Sequence, residues 1–226
     1  MTDTFLQYMY KNPQKNKKSI NTGGAVITIA REYGCYSTEI GDLLVKKINE
    51  NQAKTWECVS SQVLEKVARN LKVPISEIVH IFGANEKGVV ANFFSSFLVT
   101  NNNISDSKII QNIINVMIDY TKQGNCVIVG RAGVIFSKYN QNALNIRLVA
   151  PLEWRVEQIC KRFNINSDVA LNQIEEIDKK RALFMTYFDA YKRDSELFDI
   201  ILNRAFLSNE EIVDTIYYLA MKKSII

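Results

Sequence analysis

The sequence has few of the residues that define several common functional classes. Its 226 residues include 3 prolines, 9 glycines, 4 cysteines and 1 histidine. So few prolines and glycines exclude a low-complexity chain. A catalytic Ser–His–Asp or Cys–His pair cannot be argued from His80, which sits in an apolar stretch. A zinc site or a disulfide framework is also not expected, because the cysteines have no close pairing: Cys35, Cys58, Cys126 and Cys160.

Long apolar runs are also absent. No stretch reaches the length of a membrane span, and the N-terminus lacks the apolar core of a signal peptide, so we expect a cytoplasmic protein. A net charge of +4 is compatible with phosphate ligands but is too small to indicate nucleic acid. With 47% hydrophobic residues the chain can bury one core. We expect a polar extension over 1–24 and a single domain over 25–226.

Five apolar runs predict β-strands near residues 25–30, 56–59, 126–130, 145–150 and 197–202. Helical patterns separate them, including one that ends at Gly124 and one that opens with the capping box Ser208-x-x-Glu211. This alternation predicts a three-layer α/β fold with a parallel five-stranded sheet that binds ligands at the carboxyl ends of its strands. Residues 72–105 have no clear period after a short helix predicted from Ser76 to Phe82, and they suit an inserted flap.

Residues 25–44 predict a strand, a short turn and a helix, the unit that α/β proteins use to hold phosphate at a helix N-terminus. Gly34 relaxes the turn, and Ser37 or Thr38 can cap the helix. The full phosphate-loop pattern is G-x-x-x-x-G-K-S/T. Aligned on Gly34, Arg31 and Tyr36 replace the two glycines and Ser37 replaces the lysine. The sequence therefore predicts a phosphate loop without its lysine.

Arginines follow the predicted strands at the edge where ligands bind. Arg31 leaves the first strand and Arg131 the third, while Arg155 and Arg162 lie seven apart on the helix after the fourth. Guanidinium groups bind phosphate through two parallel hydrogen bonds and are always charged, so an arginine could replace the missing lysine. The alternative for Arg155 and Arg162 is a surface ion pair with neighbouring glutamates. We expect Gly34, Arg131 and Ala150 to share one sheet edge.

The ordered segments VITIAREYG, CVIVGRAG, IRLVAPLEWRVEQI, DKKRALFMTYF and LFDIILN resemble the cytidylate-kinase-like branch of the nucleoside-monophosphate kinases, over about residues 25–222. The resemblance implies a P-loop kinase core with a flap and an arginine-bearing lid at about residues 155–181. It also implies ATP-dependent phosphorylation of a nucleoside monophosphate, CMP or dCMP, with Mg²⁺. The aspartates that this family places beside the GR of the third strand are replaced here by Val129 and Ala132, and no metal ligand is assigned.

The resemblance and the strand ends together assign candidate site residues. The residues expected to hold ATP phosphates are Gly34, Cys35, Tyr36, Ser37 and Thr38. The candidate catalytic residues are Arg31, Arg155, Arg162 and Arg181. The candidate acceptor-binding residues are Glu57, Arg131 and Asp178. Asp178 and Arg181 lie three apart on a predicted helix, so a local ion pair is an equal alternative for them.

Three other functions remain open. Loss of the lysine would suit a catalytically silent module that binds nucleotide, and the unpatterned flap would suit a kinase of another small molecule. A polyanion-binding module is a more distant alternative. The expected partner is a nucleotide or another phosphorylated small molecule, not a membrane or a nucleic acid, and the sequence does not indicate an oligomeric state.

Overall fold

A computed structural model describes residues 23–76, 78, 106–130, 132–137, 140–186 and 194–226. The sheet contains the strands β1 (Val26–Arg31), β2 (Glu57–Val59), β3 (Cys126–Val129), β4 (Ala143–Val149) and β5 (Ile200–Asn203). The strands lie in the order β2-β3-β1-β4-β5, and every neighbouring pair is parallel. The predicted parallel five-stranded sheet is confirmed, with β1 at its centre.

Helices connect the strands. Those in the described residues are α1 (Ser37–Asn51), α2 (Gln62–Leu71), α3 (Asp106–Gln123), α4 (Gly133–Ser137), α5 (Leu152–Phe163), α6 (Ser167–Thr186), α7 (Asp194–Leu197) and α8 (Asn209–Lys222). The predicted capping box of α8 is present, because Ser208 Oγ accepts from the Glu211 N–H and Glu211 Oε2 accepts from the Ser208 N–H. Gly124 follows α3 with a φ of +70°, as expected of a residue that ends a helix.

The two faces of the sheet form separate cores because successive side chains of a strand point to opposite faces. Val26 and Cys126 pack with α2, α3 and α4 on one face. Ile27 and Val127 pack with α1 and α8 on the other. All of β3 and the first four residues of β1 are buried, as central parallel strands covered on both faces should be. The three-layer arrangement is therefore confirmed.

Helices α5 and α6 contain the predicted lid segment, residues 155–181. They form a small apolar cluster of their own, built from Ile159, Ala170, Ile174 and Ile177. Tyr33, from the loop that follows β1, is 4% exposed and belongs to the same cluster. The loop and the helix pair therefore share a core, which ties α5 and α6 to the carboxyl edge of the sheet.

Two strand-end predictions were wrong. The predicted strand at 197–202 begins later, because the Phe198 N–H bonds the Asp194 carbonyl and closes α7, so that β5 starts at Ile200. Glu57 was expected at the end of the second strand. It is instead the first residue of β2, opposite Cys126, because β2 has only three residues. Glu57 therefore lies at the amino edge of the sheet, away from the carboxyl edge where the loop enters α1.

Several predictions fall on other parts of the chain. The N-terminal extension up to residue 22, the flap apart from residues 72–76 and 78, and Arg131 lie outside the described residues. The helix predicted from Ser76 to Phe82 lies mostly outside them too. Among the helices that are described, none combines the length and the apolar character needed to cross a membrane.

Candidate functional site

The loop between β1 and α1 makes its turn with two residues of positive φ. Gly34 has a φ of +95°, where a side chain would be strained, and a Cβ there would lie 3.1 Å from Arg155 Cβ on α5. Tyr36 has a φ of +40° and a ψ of 55°, which is uncommon for a bulky residue and costs about 1 kcal/mol or more. Gly34 therefore serves both the turn and the close approach of α5.

Helix α1 begins without a side-chain cap. The predicted cap at Ser37 or Thr38 was wrong, because Tyr36 in its left-handed conformation is the residue that precedes the first turn. Ser37 is the first helical residue and is fully buried. Its Oγ has no hydrogen-bond partner within the described residues. The first turn of α1 thus combines helix N-terminal N–H groups with a buried hydroxyl that is not used by the fold.

The side chain of Tyr36 is held by α5. Its hydroxyl donates to the Gln158 carbonyl over 3.2 Å, and its ring centroid lies 4.2 Å from the Arg162 guanidinium carbon. This cation–π contact is of the order of 0.5–1 kcal/mol when exposed to solvent. Arg162, a predicted catalytic residue, is therefore placed beside the loop, where it stacks on the residue that replaces the second glycine of the pattern.

The backbone of Tyr33 is bound on both sides by charged groups. Its N–H donates to Asp178 Oδ1 over 2.8 Å, and its carbonyl accepts from Arg155 Nη1 over 3.3 Å. Arg155 Nη1 also lies 2.6 Å from Asp178 Oδ2. Glu32 also contacts Arg155. Its Oε2 accepts from the Ala150 N–H over 3.0 Å and lies 3.6 Å from Arg155 Nε. Gly34 and Ala150 thus share the carboxyl edge, as predicted.

Arg204, which the sequence reasoning missed, binds the same loop from the other side. It is 8% exposed, with Nε donating to the Cys35 carbonyl over 3.2 Å and Nη1 to Asn209 Oδ1 over 2.5 Å. Burial lowers the pKa of Arg204 from its ordinary value. Burial also raises the pKa of Cys35 to about 12, so this thiol stays protonated at neutral pH. Arg204 directly follows β5, so the rule that found Arg31 would also have found it.

A cavity of about 240 Å³ opens at the carboxyl edge on the face covered by α2–α4, since Thr28 and Ala30 line it. Arg31, Arg147 and Arg181 border it together with the carboxylates of Glu32 and Asp178. Arg181 Nη1 donates to the Arg31 carbonyl over 3.3 Å. A Cβ at Gly130, whose φ is +71°, would lie 1.9 Å from Arg31 Nη1. The guanidinium of Arg31 therefore rests on a backbone that only glycine can provide.

Arg147 is the second cavity residue that the sequence reasoning missed. It lies in β4, where Nε is 2.9 Å from Asp194 Oδ2 and the guanidinium is 5.6 Å from the centre of the Phe198 ring. Its burial is intermediate, and it faces the cavity from the centre of a strand. No motif marks it, because an isolated arginine within an apolar strand becomes visible only once the face of that strand is known.

The site suits phosphate better than it suits a metal ion. Where the chain is described, no three His, Cys, Asp or Glu side chains are grouped to hold a metal. Mg²⁺ needs only one or two carboxylates beside phosphate oxygens. The two that line the cavity, Glu32 and Asp178, are already engaged by Arg155. Within the part of the chain that the structure describes, the residues of the site therefore do not fit Mg²⁺. The first turn of α1 offers helix N-terminal N–H groups, which suit a phosphate group, while the Ser37 hydroxyl beside them is enclosed by protein atoms.

The structure thus brings together Arg31, Arg155, Asp178 and Arg181, and it places Arg162 with the 34–38 loop a short distance away. Glu57 is not part of this group, since it lies at the amino edge of the sheet. The cavity and the loop lie on opposite faces of β1, and both are reached from its carboxyl end.

Comparisons with known proteins show which family the chain matches. A family model described as "Cytidylate kinase-like family" matches residues 26–205. A cytidylate kinase from Ignicoccus hospitalis is 31% identical over 117 residues, 50% of this chain and 66% of that protein. One from Sulfolobus acidocaldarius is 31% identical over 88 residues, 38% of this chain and 48% of that protein. The matched part of the chain thus spans about half to two thirds of these curated relatives.

A solved structure supports the fold alone. The crystal structure of an uncharacterized protein from Eubacterium ventriosum is similar, with a TM-score of 0.63 at 18% identity. The similarity covers 88% of this chain and 98% of that one. The architecture is therefore shared across nearly the whole length of both proteins.

Proposed function

The chain belongs to the cytidylate kinase-like family, and we propose that it transfers the terminal phosphoryl group of ATP to a nucleoside monophosphate, CMP or dCMP. The observation that carries this proposal is the cavity bordered by Arg31, Arg147 and Arg181 at the sheet edge where the loop enters α1. Phosphoryl transfer needs positioning and neutralisation of charge far more than covalent help from the protein. Arginines that converge on one edge can supply both.

On the donor side, the N–H groups at residues 34–38, apart from that of Cys35, which bonds the Glu32 carbonyl, would bind the phosphates of ATP, which supplies the group to be transferred. The positive end of the α1 dipole favours an anion there without a lysine. Arg162, stacked on Tyr36 beside the same loop, would add positive charge.

On the acceptor side, Arg31 and Arg181 would face the phosphoryl group as it moves, and Arg147 would bind the acceptor. An acceptor phosphate oxygen attacks the terminal phosphorus, and the bond to the ADP oxygen breaks. Negative charge on the transferred group is then best met by guanidinium groups, which are planar and always charged. From the family resemblance, Arg131 would also contact the acceptor phosphate. No step is assigned to Mg²⁺, which the described residues of the site do not fit.

The test is a phosphoryl-transfer assay on the purified protein. Formation of ADP from ATP, or of GDP from GTP, is measured against a panel of nucleoside monophosphates, each with and without MgCl₂. We expect ADP formation that depends on CMP or dCMP. Transfer to no acceptor in the panel, under any of these conditions, would remove the proposed function.

A silent nucleotide-binding module is the second candidate. It is favoured by the same feature that makes the kinase unusual, namely that Ser37 stands in the lysine position and is fully buried. The same panel separates the two candidates if thermal unfolding is measured as well. Binding of a nucleotide to the native state raises the melting temperature by mass action, whether or not a phosphoryl group is transferred.

A further inference from the structure

Two charged side chains from different helices meet at the backbone of one loop residue, Tyr33. Asp178 on α6 accepts the Tyr33 N–H over 2.8 Å, and Arg155 on α5 donates to the Tyr33 carbonyl over 3.3 Å. The two side chains bind each other over 2.6 Å. The contacts form a closed ring, so neither side chain can leave without releasing the Tyr33 backbone. We call Arg155, Asp178 and the Tyr33 backbone the Tyr33 clamp.

The charges around Arg155 argue against a direct role in phosphoryl transfer. Its guanidinium is buried and lies 2.6 Å from a carboxylate of Asp178 and 3.6 Å from that of Glu32. One positive charge thus faces two negative ones. A transition-state arginine has to meet phosphoryl oxygens with uncompensated charge. Arg155 is already more than neutralised by its neighbours.

The clamp is continuous with the start of α1. Tyr33 directly precedes Gly34, whose Cα packs so closely on α5 that an added Cβ would lie 3.1 Å from Arg155 Cβ. Two residues further on, the Tyr36 hydroxyl binds the Gln158 carbonyl of the same helix. A shift of α5 would therefore move the whole turn and change where the first N–H groups of α1 point.

We propose that Arg155 and Asp178 are positioning residues. They hold the backbone of Tyr33 and so orient the backbone of residues 34–38 toward the donor phosphates. This rests on the proposed function, since it assigns a role within the same donor site. It differs from the catalytic role that the sequence suggested for Arg155. The pair acts through the backbone of the loop and does not touch the transferred group.

The experiment compares Arg155→Lys and Asp178→Asn with wild type. Lysine keeps the charge, but its ammonium lies one bond closer to the backbone than Nη1 and it has no counterpart of Nε, which faces Glu32. Asparagine keeps the size of Asp178 without its charge. Lys161→Gln is the matched control, because Lys161 forms an exposed ion pair with Glu157 on the same helix. Three quantities are measured: amide exchange of residues 31–38, affinity for ADP and ATP, and steady-state kinetics.

For both clamp variants we expect amide exchange at residues 31–38 at least 10-fold faster than in wild type. Nucleotide affinity should fall at least 10-fold in both, and in Arg155→Lys, which does not border the cavity, the KM for the acceptor should stay within 2-fold. The control should match wild type in all three. Asparagine can still accept the Tyr33 N–H, so Asp178→Asn should fold, and it decides the outcome if Arg155→Lys does not.

The possible outcomes separate this proposal from the proposed function. The clamp would be overturned if amide exchange and nucleotide affinity were unchanged in Asp178→Asn. It would also be overturned if the only change in the variants were a higher KM for the acceptor. The wild type could also bind nucleotide without transferring a phosphoryl group, while the variants bind nucleotide more weakly. That result would remove the kinase function and support the clamp. A wild type that binds no nucleotide overturns both.

Discussion

The two sides of the carboxyl edge use charge in different ways. On the α1 side, charged side chains bind the backbone of the loop itself, as Arg155 and Asp178 do at Tyr33 and Arg204 does at Cys35. On the cavity side, arginines border an open volume of about 240 Å³. In the usual phosphate loop one lysine carries charge to the ligand. Here the loop is shaped by charge, and the charge available for ligand comes from other elements.

The sharpest way to break this comparison is Gly130→Ala. The new Cβ would lie 1.9 Å from Arg31 Nη1, and the φ of +71° would be strained, so the guanidinium has to leave its place in the cavity. We expect kcat/KM for the acceptor to fall about 100-fold, roughly 2.7 kcal/mol of transition-state stabilisation. Steady-state kinetics measure this fall in kcat/KM. Arg31→Ala is the matched comparison, because Gly130→Ala should lower kcat/KM no further once the Arg31 guanidinium is gone. Values within 3-fold of wild type would show that the placement of Arg31 does not matter.

Arg204→Met tests the loop side. It removes a buried donor to the Cys35 carbonyl and to Asn209, and it leaves acceptor groups without partners. We expect the free energy of unfolding to fall by about 2 kcal/mol, measured by urea denaturation. A change below about 0.5 kcal/mol would mean that Arg204 does not hold the loop.

Arg147→Met is the same substitution on the cavity side and should have the opposite profile. The ion pair with Asp194 is partly exposed, so the free energy of unfolding should change by less than about 1 kcal/mol. The KM for the acceptor should rise about 10-fold, a loss of roughly 1.4 kcal/mol. If Arg147→Met lowered the free energy of unfolding as much as Arg204→Met and left the acceptor KM unchanged, the two sides of the edge would not differ in how they use charge.

Ser37→Ala should have the smallest effect. The hydroxyl is fully buried and without a partner in the described residues, so its removal should change the free energy of unfolding by no more than about 1 kcal/mol, in the stabilising direction. Urea denaturation of wild type and variant checks this. If the hydroxyl binds a donor phosphate, the same variant should also bind ATP more weakly. A clear destabilisation without ligand would show that the fold uses the hydroxyl after all.

The sequence predicts those parts of the fold that depend on local pattern. The apolar runs of β1 and β3 and the capping box at Ser208 are read from neighbouring residues, and all three are confirmed. The convergence of strand ends also follows, because parallel strands end at one edge, as the contact between Glu32 and Ala150 shows. These features need no knowledge of distant partners.

The details of the site depend on partners far along the chain. Tyr36 adopts a left-handed conformation while α5, more than 100 residues later, holds its side chain. The burial of Arg155 likewise depends on Asp178 and Glu32, where the sequence allowed a surface ion pair or a catalytic role. Glu57 was misplaced because three residues are too few to fix the ends of a strand by pattern. Long-range contacts, and not propensities, decide such positions.

The strand order has a consequence for how the protein is made. β1 is the first described strand and lies at the centre of the sheet, yet its partners come later, with Val26 opposite Cys126 and Ala143. At about 5–20 residues per second, a ribosome needs on the order of 5–20 s to deliver those partners. During that time the apolar run from Val26 to Ile29 has no strand to pair with, and pairings this distant form slowly. The nascent chain therefore carries the apolar residues of β1 before their partners exist, so we expect folding in the cell to depend on chaperones that cover β1.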